Sequence, residues 1–293
     1  MNIWKYSMRS IVKQKINYEI INKIGGKMEY LTLDEIKDVE LDLLVKFDMF
    51  CKKNNLRYSL TYGTLLGAIR HKDFIPWDDD VDVMMPREDY QRLFVLLEQG
   101  EKIDDDISFL TSKSEGYYYH FNKIYNNKTI AKMDNNSTVH GIWLDIFPLD
   151  NTPSSKILAK CFHVKARLLR NMIIAATTDF TDRNNKRYRI KRVLCGISKI
   201  IGIQRISDYL NKYVQRYNKK NTKLVSIVHG QYSIDADKER RLYFETEKRI
   251  FRGKFFNVSI GWDAILTGMY GNYMVIPDRD KQITHFLKAY YKE

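Results

Sequence analysis

Hydrophobic residues spaced three and four positions apart predict a helix shortly after the first thirty residues of the chain. Thr32 and Glu35 have the spacing of a capping box, which places the start of this helix at Thr32. The apolar spacing ends near Asn54, so we expect a helix whose inner face packs on a core. The residues of that face are Ile36, Val39, Leu43, Leu44, Phe47 and Phe50.

Short runs of apolar and β-branched residues predict strands at 57–60, 107–110, 117–125, 128–133 and 141–150. The last of these runs is almost continuously apolar, as expected of a strand that is buried on both faces. Helical patterns separate several of the strands. The expected fold class is therefore α/β (α+β), with a mixed sheet flanked by helices.

Two glycines and an acidic strand follow the first predicted strand. Gly63 and Gly67 predict a glycine turn that leads into a helix. The next strand is expected to carry Asp80 and Asp82 on one face, because acids and valines alternate there with period two. Pro86 is then expected to begin another helix.

The second half of the chain has a different pattern. From 154 to about 222 it is helical and basic, and from 224 it mixes short strands with loops. A terminal helix is predicted from about Asp278. Residues 1–28 are predicted to form a basic helical arm.

The positive charge of the protein belongs to one internal segment. The chain has 293 residues, with 49 basic and 36 acidic side chains, and a net charge of +13. Between Lys156 and Lys223 there are 18 basic and three acidic residues, whereas the remainder has 31 basic and 33 acidic residues. Nucleic acid is not the expected partner, because no nucleic-acid-binding motif accompanies this segment.

Cysteine usage and hydropathy indicate the compartment. Cys51, Cys161 and Cys195 are scattered without metal-ligand spacing, which argues against a disulfide framework and a structural zinc site. No apolar run is long enough to span a membrane, and the amino terminus lacks the apolar core of a signal peptide. We expect a cytoplasmic protein that contacts the inner face of the cell membrane only peripherally.

The aspartates provide the candidate chemistry. Asp80 and Asp82 would hold one Mg²⁺ or Mn²⁺ ion, which prefers oxygen ligands and commonly binds substrate phosphates as well. Asp145, in the apolar strand at 141–150, would complete a second metal site or take the proton of an incoming hydroxyl. The glycines would let backbone N–H groups approach phosphate oxygens. This combination predicts phosphoryl or nucleotidyl transfer.

The run from Tyr62 to Asp82, YGTLLGAIRHKDFIPWDDDVD, resembles the signature of the LicD/fukutin family. The stretch 141–150 and the sequence YGNYM at 270–274, followed by His285, agree with the same family. The resemblance implies a nucleotidyltransferase-like fold. It also implies an enzyme that moves a phospho-alcohol, typically phosphocholine from CDP-choline, onto a sugar hydroxyl of a surface glycan.

The resemblance also assigns roles to particular residues. It implies that Asp78, Asp80 and Asp82 lie at the metal and the diphosphate, and that Asp145 is a metal ligand or general base. Asp79 would replace Asp78 if the loop kinks, although strand alternation favours Asp78. The residues implied or considered for binding donor phosphates are Gly63, Thr64, Gly67, Arg70 and His71.

Two basic amphipathic helices are predicted within the basic segment. Such helices are typical of membrane-surface elements that face anionic headgroups, and the alternative is a solvated basic face. The positive charge of this segment would suit a polyprenyl-linked glycan acceptor at the membrane and an anionic polymer acceptor equally well. The apolar positions are Leu158, Cys161, Leu168, Leu169 and Met172 in the first helix, and Ile190, Val193, Leu194, Ile197, Ile200 and Ile201 in the second.

We therefore expect a metal-dependent transferase that uses a CDP-alcohol donor and releases CMP. The alternatives are a nucleotidyltransferase that attaches NMP to a small molecule, transfer of ribitol or glycerol phosphate, and a non-catalytic glycan- or membrane-binding module. The expected parts are a basic arm (1–30), a nucleotidyltransferase-like core (31–153), a basic helical segment (154–223) and a part that completes the catalytic domain (224–293).

Overall fold

The computed structural model describes residues 29–132, 140–177, 186–220, 222–228, 230, 237–282 and 287–292. The predicted arm at 1–28 and His285 lie outside the described residues. From Leu31 onward the chain forms one compact unit.

Helices and strands alternate along the described chain, which confirms the expected α/β class. The described helices are α1 (Leu33–Lys53), α2 (Tyr62–Arg70), α3 (Arg87–Glu98), α4 (Lys156–Thr177), α5 (Lys186–Ile201), α6 (Ile203–Val214), α7 (Arg240–Phe244) and α8 (Trp262–Tyr270). The described strands are β1 (Ser59–Leu60), β2 (Val81–Pro86), β3 (Ile107–Leu110), β4 (Asn122–Asn126), β5 (Thr129–Lys132), β6 (Trp143–Asn151), β7 (Leu224–Ser226), β8 (Lys238–Glu239), β9 (Thr246–Phe251), β10 (Lys254–Ser259) and β11 (Lys288–Tyr291). Short 3₁₀ turns lie at Gln215–Tyr217 and Arg279–Lys281.

A mixed sheet with the order β1-β2-β6-β4-β3 positions the candidate site. β2 and β6 are parallel neighbours, and the other adjacent pairs in this order are antiparallel. The carboxyl end of β6 also pairs with β7, which pairs with β8. All residues of β2 and β6 are buried, which explains why both strands are nearly continuous apolar runs.

The predicted start of α1 is confirmed. Thr32 Oγ1 accepts a hydrogen bond from the Glu35 N–H at 3.3 Å, and Glu35 Oε2 accepts one from the Thr32 N–H at 2.7 Å. The predicted inner residues of this helix are buried in the main core. The helix that follows Pro86 is also confirmed, as α3.

Four sequence-based predictions of secondary structure are wrong. Gly63 and Gly67 lie inside α2 and not in a turn before it. The expected terminal helix is a 3₁₀ turn followed by β11, because the chain pairs there with β5. The predicted strand at 117–125 begins only at Asn122, and α8 forms where strands and loops are expected.

In its described residues the basic segment forms three helices with a second apolar core between them. α4 packs on both α5 and α6. In the described ranges no helix combines the length and apolarity needed to cross a membrane. The buried residues of this second core are Phe162, Ala166, Met172, Ile173, Ile206, Leu210, Tyr213, Val214 and Val228.

Candidate active site

A cavity of about 670 Å³ lies where β2 and β6 begin. The predicted acids Asp78, Asp80, Asp82 and Asp145 all line this cavity. Among the predicted phosphate-binding residues, Gly63 and Arg70 line the cavity, whereas Thr64, Gly67 and His71 do not. The structure therefore brings the four acids, Gly63 and Arg70 to one cavity and leaves Thr64, Gly67 and His71 outside its wall.

The parallel register of the two central strands places two of these acids side by side. Asp82 in β2 is the direct partner of Asp145 in β6. On the other side of β6, Lys123 in β4 is the partner of Asp145, and its Nζ lies 3.0 Å from Asp145 Oδ1. Three charged side chains thus lie in one row across three strands.

Lys123 is a site residue that the sequence-based prediction does not include. Its side chain is buried, and its Nζ lies 4.4 Å from the centroid of the Trp143 ring. A buried lysine needs a compensating partner, and Asp145 supplies it. The available signal for Lys123 was that it is a single lysine within a predicted strand. A buried acid on a neighbouring strand needs such a positive charge to compensate it.

The backbone of Asp82 is fixed by the segment that begins α2. The Asp82 N–H donates to Thr64 Oγ1 at 2.8 Å, and the Asp82 carbonyl accepts from the Thr61 N–H at 3.1 Å. The Thr64 side chain is buried, so its hydroxyl serves this contact. Thr64 therefore positions an acid of the site and does not face the cavity.

Gly63 and Gly67 are required for close packing. A Cβ on Gly63 would lie 2.3 Å from Asp78 Oδ2, so glycine lets this carboxylate approach the first turn of α2. A Cβ on Gly67 would lie 2.5 Å from the Asp73 carbonyl oxygen. The second glycine therefore lets the loop after α2 fold back against the helix.

Asp79 is directed differently from the other acids of the run. Its Oδ2 accepts a hydrogen bond from the Leu287 N–H at 3.0 Å. The Asp79 side chain is buried and does not line the cavity, whereas Asp78 and Asp80 do. The placement thus follows the alternation expected from the sequence, with Asp79 facing the segment before β11.

Negative charge is concentrated around the start of β2. Burial, followed by the charges of Asp80, Asp145 and Asp78, raises the pKa of Asp82 well above its usual range, while Lys123 acts in the opposite direction.

Glu40 of α1 adds a further carboxyl next to this cluster. Burial, and then Asp80, Asp79 and Asp78, raise the pKa of Glu40 well above its usual range. Its Oε2 is buried and has no hydrogen-bond partner among the described residues.

Arg70 contacts the loop that borders the cavity. Its Nη1 donates to the Tyr273 carbonyl oxygen at 2.6 Å and lies 3.4 Å from the Val275 carbonyl oxygen. Its Nε donates to His71 Nε2 at 3.0 Å, which requires an unprotonated nitrogen. Burial, and then the charge of Arg70, lower the pKa of His71, in agreement with this contact.

Two further cations reach the cavity from outside the predicted motif. Arg170 belongs to α4 and Lys281 to the 3₁₀ turn near the carboxyl end. Burial lowers the pKa of Arg170, whose Nε has no hydrogen-bond partner among the described residues. The basic segment therefore contributes directly to the wall of the site. Its charge there is opposite in sign to that of the acids.

Aromatic side chains form much of the remaining wall. The rings of Phe121 and Phe147 have centroids 4.4 Å apart, and Tyr62 meets Phe147 edge to face at 5.0 Å. Trp143 lies behind Lys123 and belongs to the core. The aromatic residues that line the cavity are Tyr62, Trp77, Tyr119, Phe121, Phe147, Tyr270 and Tyr273.

The carboxylate oxygens of the four acids are ligands of the kind that a hard divalent cation prefers. All four acids offer carboxylate oxygens, and burial, followed by the charges of the neighbouring acids, raises the pKa of Asp82 despite the opposing charge of Lys123. No three histidine, cysteine, aspartate or glutamate side chains in the described ranges are grouped as a fully protein-bound ion would require. Carboxylate oxygens are the ligands that Mg²⁺ takes one or two of when it completes its shell with water and substrate phosphates.

Comparison with known proteins agrees with this geometry. Residues 55–171 match the family model described as LicD/FKTN/FKRP, nucleotidyltransferase domain. The chain carries a LicD-family nucleotidyltransferase domain. This domain includes α2, the loop with Asp78 and Asp80, the paired acids of β2 and β6, and Lys123.

The similarity extends beyond the LicD-family domain in one relative. The chain is 27% identical over 266 residues to the lipopolysaccharide cholinephosphotransferase LicD of Haemophilus influenzae. This alignment covers 90% of this chain and 99% of that protein. It is also 44% identical over 87 residues to an uncharacterized protein of Rickettsia prowazekii, which covers 30% of each. The longer match includes most of the chain outside the LicD-family domain.

Proposed function

We propose that this protein is a LicD-type phosphotransferase that transfers phosphocholine from CDP-choline to a sugar hydroxyl of a bacterial surface glycan, with release of CMP. The similarity along almost the full length of the Haemophilus lipopolysaccharide cholinephosphotransferase supports this class of enzyme. The observation that carries the proposal is the pairing of Asp82 with Asp145 inside one cavity that also holds Asp78 and Asp80.

Asp80 and Asp82 would be the main ligands of Mg²⁺ or Mn²⁺. Asp78 and Asp145 line the same cavity and would be further ligands. When bound, the ion would neutralise the diphosphate of the donor and so favour departure of CMP. Arg70, Arg170 and Lys281 would contact phosphate oxygens from the other side of the cavity.

Asp145 would orient the acceptor hydroxyl and accept its proton. The hydroxyl oxygen would attack the β-phosphorus, forming the new phosphodiester bond while the bond from that phosphorus to the bridging oxygen breaks. The electron pair of the broken bond would leave with CMP. Lys123 would hold Asp145 in position, because its ammonium group lies 3.0 Å from the carboxylate.

The aromatic wall supports choline as the alcohol. Rings bind quaternary ammonium groups through their electron-rich faces, and nearby carboxylates add a favourable field. Trp77, Tyr119 and Tyr270 lie on the same cavity as the acids. A ribitol or glycerol phosphate would make no use of these ring faces, although the phosphate chemistry would be the same.

A donor screen tests the proposal. Purified protein with Mg²⁺ is incubated with CDP-choline, CDP-ribitol or CDP-glycerol and a glycan acceptor, and CMP and the modified glycan are measured. We expect CMP and a phosphocholine-bearing glycan from CDP-choline. Asp82→Asn should abolish both products, whereas Asp105→Asn, an exposed acid distant in sequence from the site, should not.

The products also separate the alternatives. A nucleotidylated acceptor with release of choline phosphate would identify a nucleotidyltransferase. Preference for CDP-ribitol or CDP-glycerol would change the transferred alcohol and keep the mechanism. Unchanged activity in both Asp80→Asn and Asp82→Asn would contradict the proposed catalytic site.

We further propose that the acceptor is reached at an anionic membrane surface. α4 exposes an apolar stripe at spacings of four, three and four residues: Ile157, Cys161, Val164 and Leu168. Lys160, Lys165 and Arg167 flank it on the helix surface. α5 exposes a second stripe of Val193, Ile197, Ile200 and Ile201, and Ile200 is 87% exposed.

Vesicle sedimentation tests this contact. We expect the wild-type protein to bind phosphatidylglycerol-containing vesicles at low salt and to bind neutral vesicles less. Val164→Glu with Leu168→Glu should abolish sedimentation. Phe255→Glu is the matched control, because Phe255 is 61% exposed on the β9–β10 hairpin. Absence of wild-type binding would contradict the membrane contact without affecting the donor assay.

A further inference from the structure

A second cavity, of about 580 Å³, lies at the opposite ends of the two central strands. Its wall includes Pro86 at the end of β2, and Leu149 and Asn151 at the end of β6. The candidate active site lies where the same strands begin. The two cavities are therefore separate places on the fold, joined by the length of one parallel strand pair.

The wall of the second cavity is strongly cationic. Among the described residues, five basic side chains line it and a single acid, Glu88, accompanies them. Glu88 also contacts Arg57, which takes up part of its charge. The basic residues of the wall are Arg87, Lys212, Arg216, Lys219 and Arg240.

Two of the guanidinium groups are held in place by neighbouring groups. Arg240 Nη2 donates to Asn151 Oδ1 at 2.6 Å, and the Asn151 amide nitrogen in turn donates to the Lys220 carbonyl oxygen at 3.1 Å. Arg216 lies over the Tyr213 ring at 4.4 Å. Groups fixed in this way lose little conformational entropy when they bind a ligand.

The buried acid next to the cavity is already used. Asp150 accepts from Arg87 Nε at 2.7 Å and from the Asn218 amide nitrogen at 2.6 Å. Arg87 is thus neutralised, whereas Lys212 and Lys219 are exposed and form no ion pair with a described residue. Arg216 and Arg240 likewise form no ion pair with a described residue, so four of the five basic side chains stay unpaired there and only Glu88 offsets them in the wall.

We propose that this cationic cavity is a second binding site, for a phosphate ester. A volume of about 580 Å³ suits a small ligand, and the fixed guanidinium groups match the geometry of phosphate oxygens. Phe244 and Leu149 give the wall an apolar part, on which a sugar or base attached to the phosphate would rest. The site stands on its own residues and does not depend on the proposed transfer reaction.

Calorimetric titration in EDTA at low salt tests the site with three probes: inorganic pyrophosphate, CMP and glucose 6-phosphate. We expect wild-type protein to bind at least one probe. Lys212→Gln with Lys219→Gln should weaken binding about fivefold, and Arg240→Gln should weaken it about tenfold. Preference for CMP or for glucose 6-phosphate distinguishes a nucleotide from a phosphorylated sugar as the source of the phosphate.

Lys199→Gln with Lys254→Gln is the control, because it removes the same charge from exposed lysines elsewhere. Its affinity should equal that of the wild type. Equal affinity in all variants, or no binding of any probe, would overturn the proposal. Loss of binding in Arg70→Gln but not in the Lys212 and Lys219 double variant would place the anion in the active-site cavity and would also overturn it.

Discussion

Asp82 and Asp145 are direct partners across the parallel pair formed by β2 and β6. Both carboxylates therefore enter one cavity from adjacent strands, although 62 residues separate them in the chain. Lys123 is the partner of Asp145 on the other side of β6. The register thus builds a row of acid, acid and base, and leaves a negative charge on the side of Asp80 and Asp82.

The different directions of Asp79 and Asp80 predict opposite results for two similar substitutions. Asp79→Asn should keep nearly normal turnover, because the asparagine oxygen can still accept the Leu287 N–H. Asp80→Asn should lower kcat at least about 100-fold, because it removes charge from the cavity wall. Turnover is measured as CMP release, with circular dichroism to confirm folding. A greater loss in Asp79→Asn would reverse our placement of the two acids.

The two glycines of α2 should separate effects on activity from effects on stability. In Gly63→Ala the new methyl group displaces the Asp78 carboxylate, so the donor KM should rise while the melting temperature changes little. In Gly67→Ala the methyl group meets the backbone carbonyl of Asp73, which should cost about 1–3 kcal/mol of stability. Steady-state kinetics and thermal unfolding of both variants check this. A large stability loss in Gly63→Ala alone would argue against it.

Lys123 should control the pH dependence of the reaction. Its positive charge lowers the pKa of Asp82 and neutralises Asp145. In Lys123→Met the pKa of Asp82 would rise, so the acidic limb of the kcat/KM profile should move to higher pH. Lys123→Arg keeps the charge and should leave the limb closer to its original position. A purely structural role would lower activity at every pH without shifting the limb.

Glu40 should destabilise the protein at neutral pH in the absence of metal. Its folded pKa is raised, while in the unfolded chain the carboxyl ionises near pH 4.3. Above that pH the unfolded state loses a proton that the folded state retains, so stability falls as pH rises toward the folded pKa. Glu40→Gln mimics the protonated form and should raise the melting temperature at pH 7.5 in EDTA but not near pH 4. A lower melting temperature at pH 7.5 would contradict the assignment.

Local patterns in the sequence predicted the elements that hold the site. The capping box of Thr32 and Glu35, the helix after Pro86, and the strand at 107–110 are confirmed, because each depends on residues close together in the chain. The terminal helix was wrong for the opposite reason. Residues 288–291 pair with β5, and this distant partner determines their conformation.

The site shows the same division. The acids at 78, 80 and 82 could be found from their spacing and their apolar surroundings. Arg170 could not, because it reaches the cavity from a helix whose position depends on packing against the rest of the fold. Lys123 stands out in the sequence only as a single lysine within a predicted strand, and its pairing with Asp145 depends on the strand register. The role of Gly63 could not be seen either, since it depends on a carboxylate fifteen positions later in the chain.

The sequence by itself determined the α/β class, the acidic run and the location of the basic segment, because periodicity, capping and charge are local properties. Only the tertiary structure decided that Asp145 stands beside Asp82, that Asp79 faces Leu287, and that Lys123 balances the row. It also created the cationic cavity from residues of several distant elements. The physical reason is that strand register and the burial of charge are set by packing between distant segments.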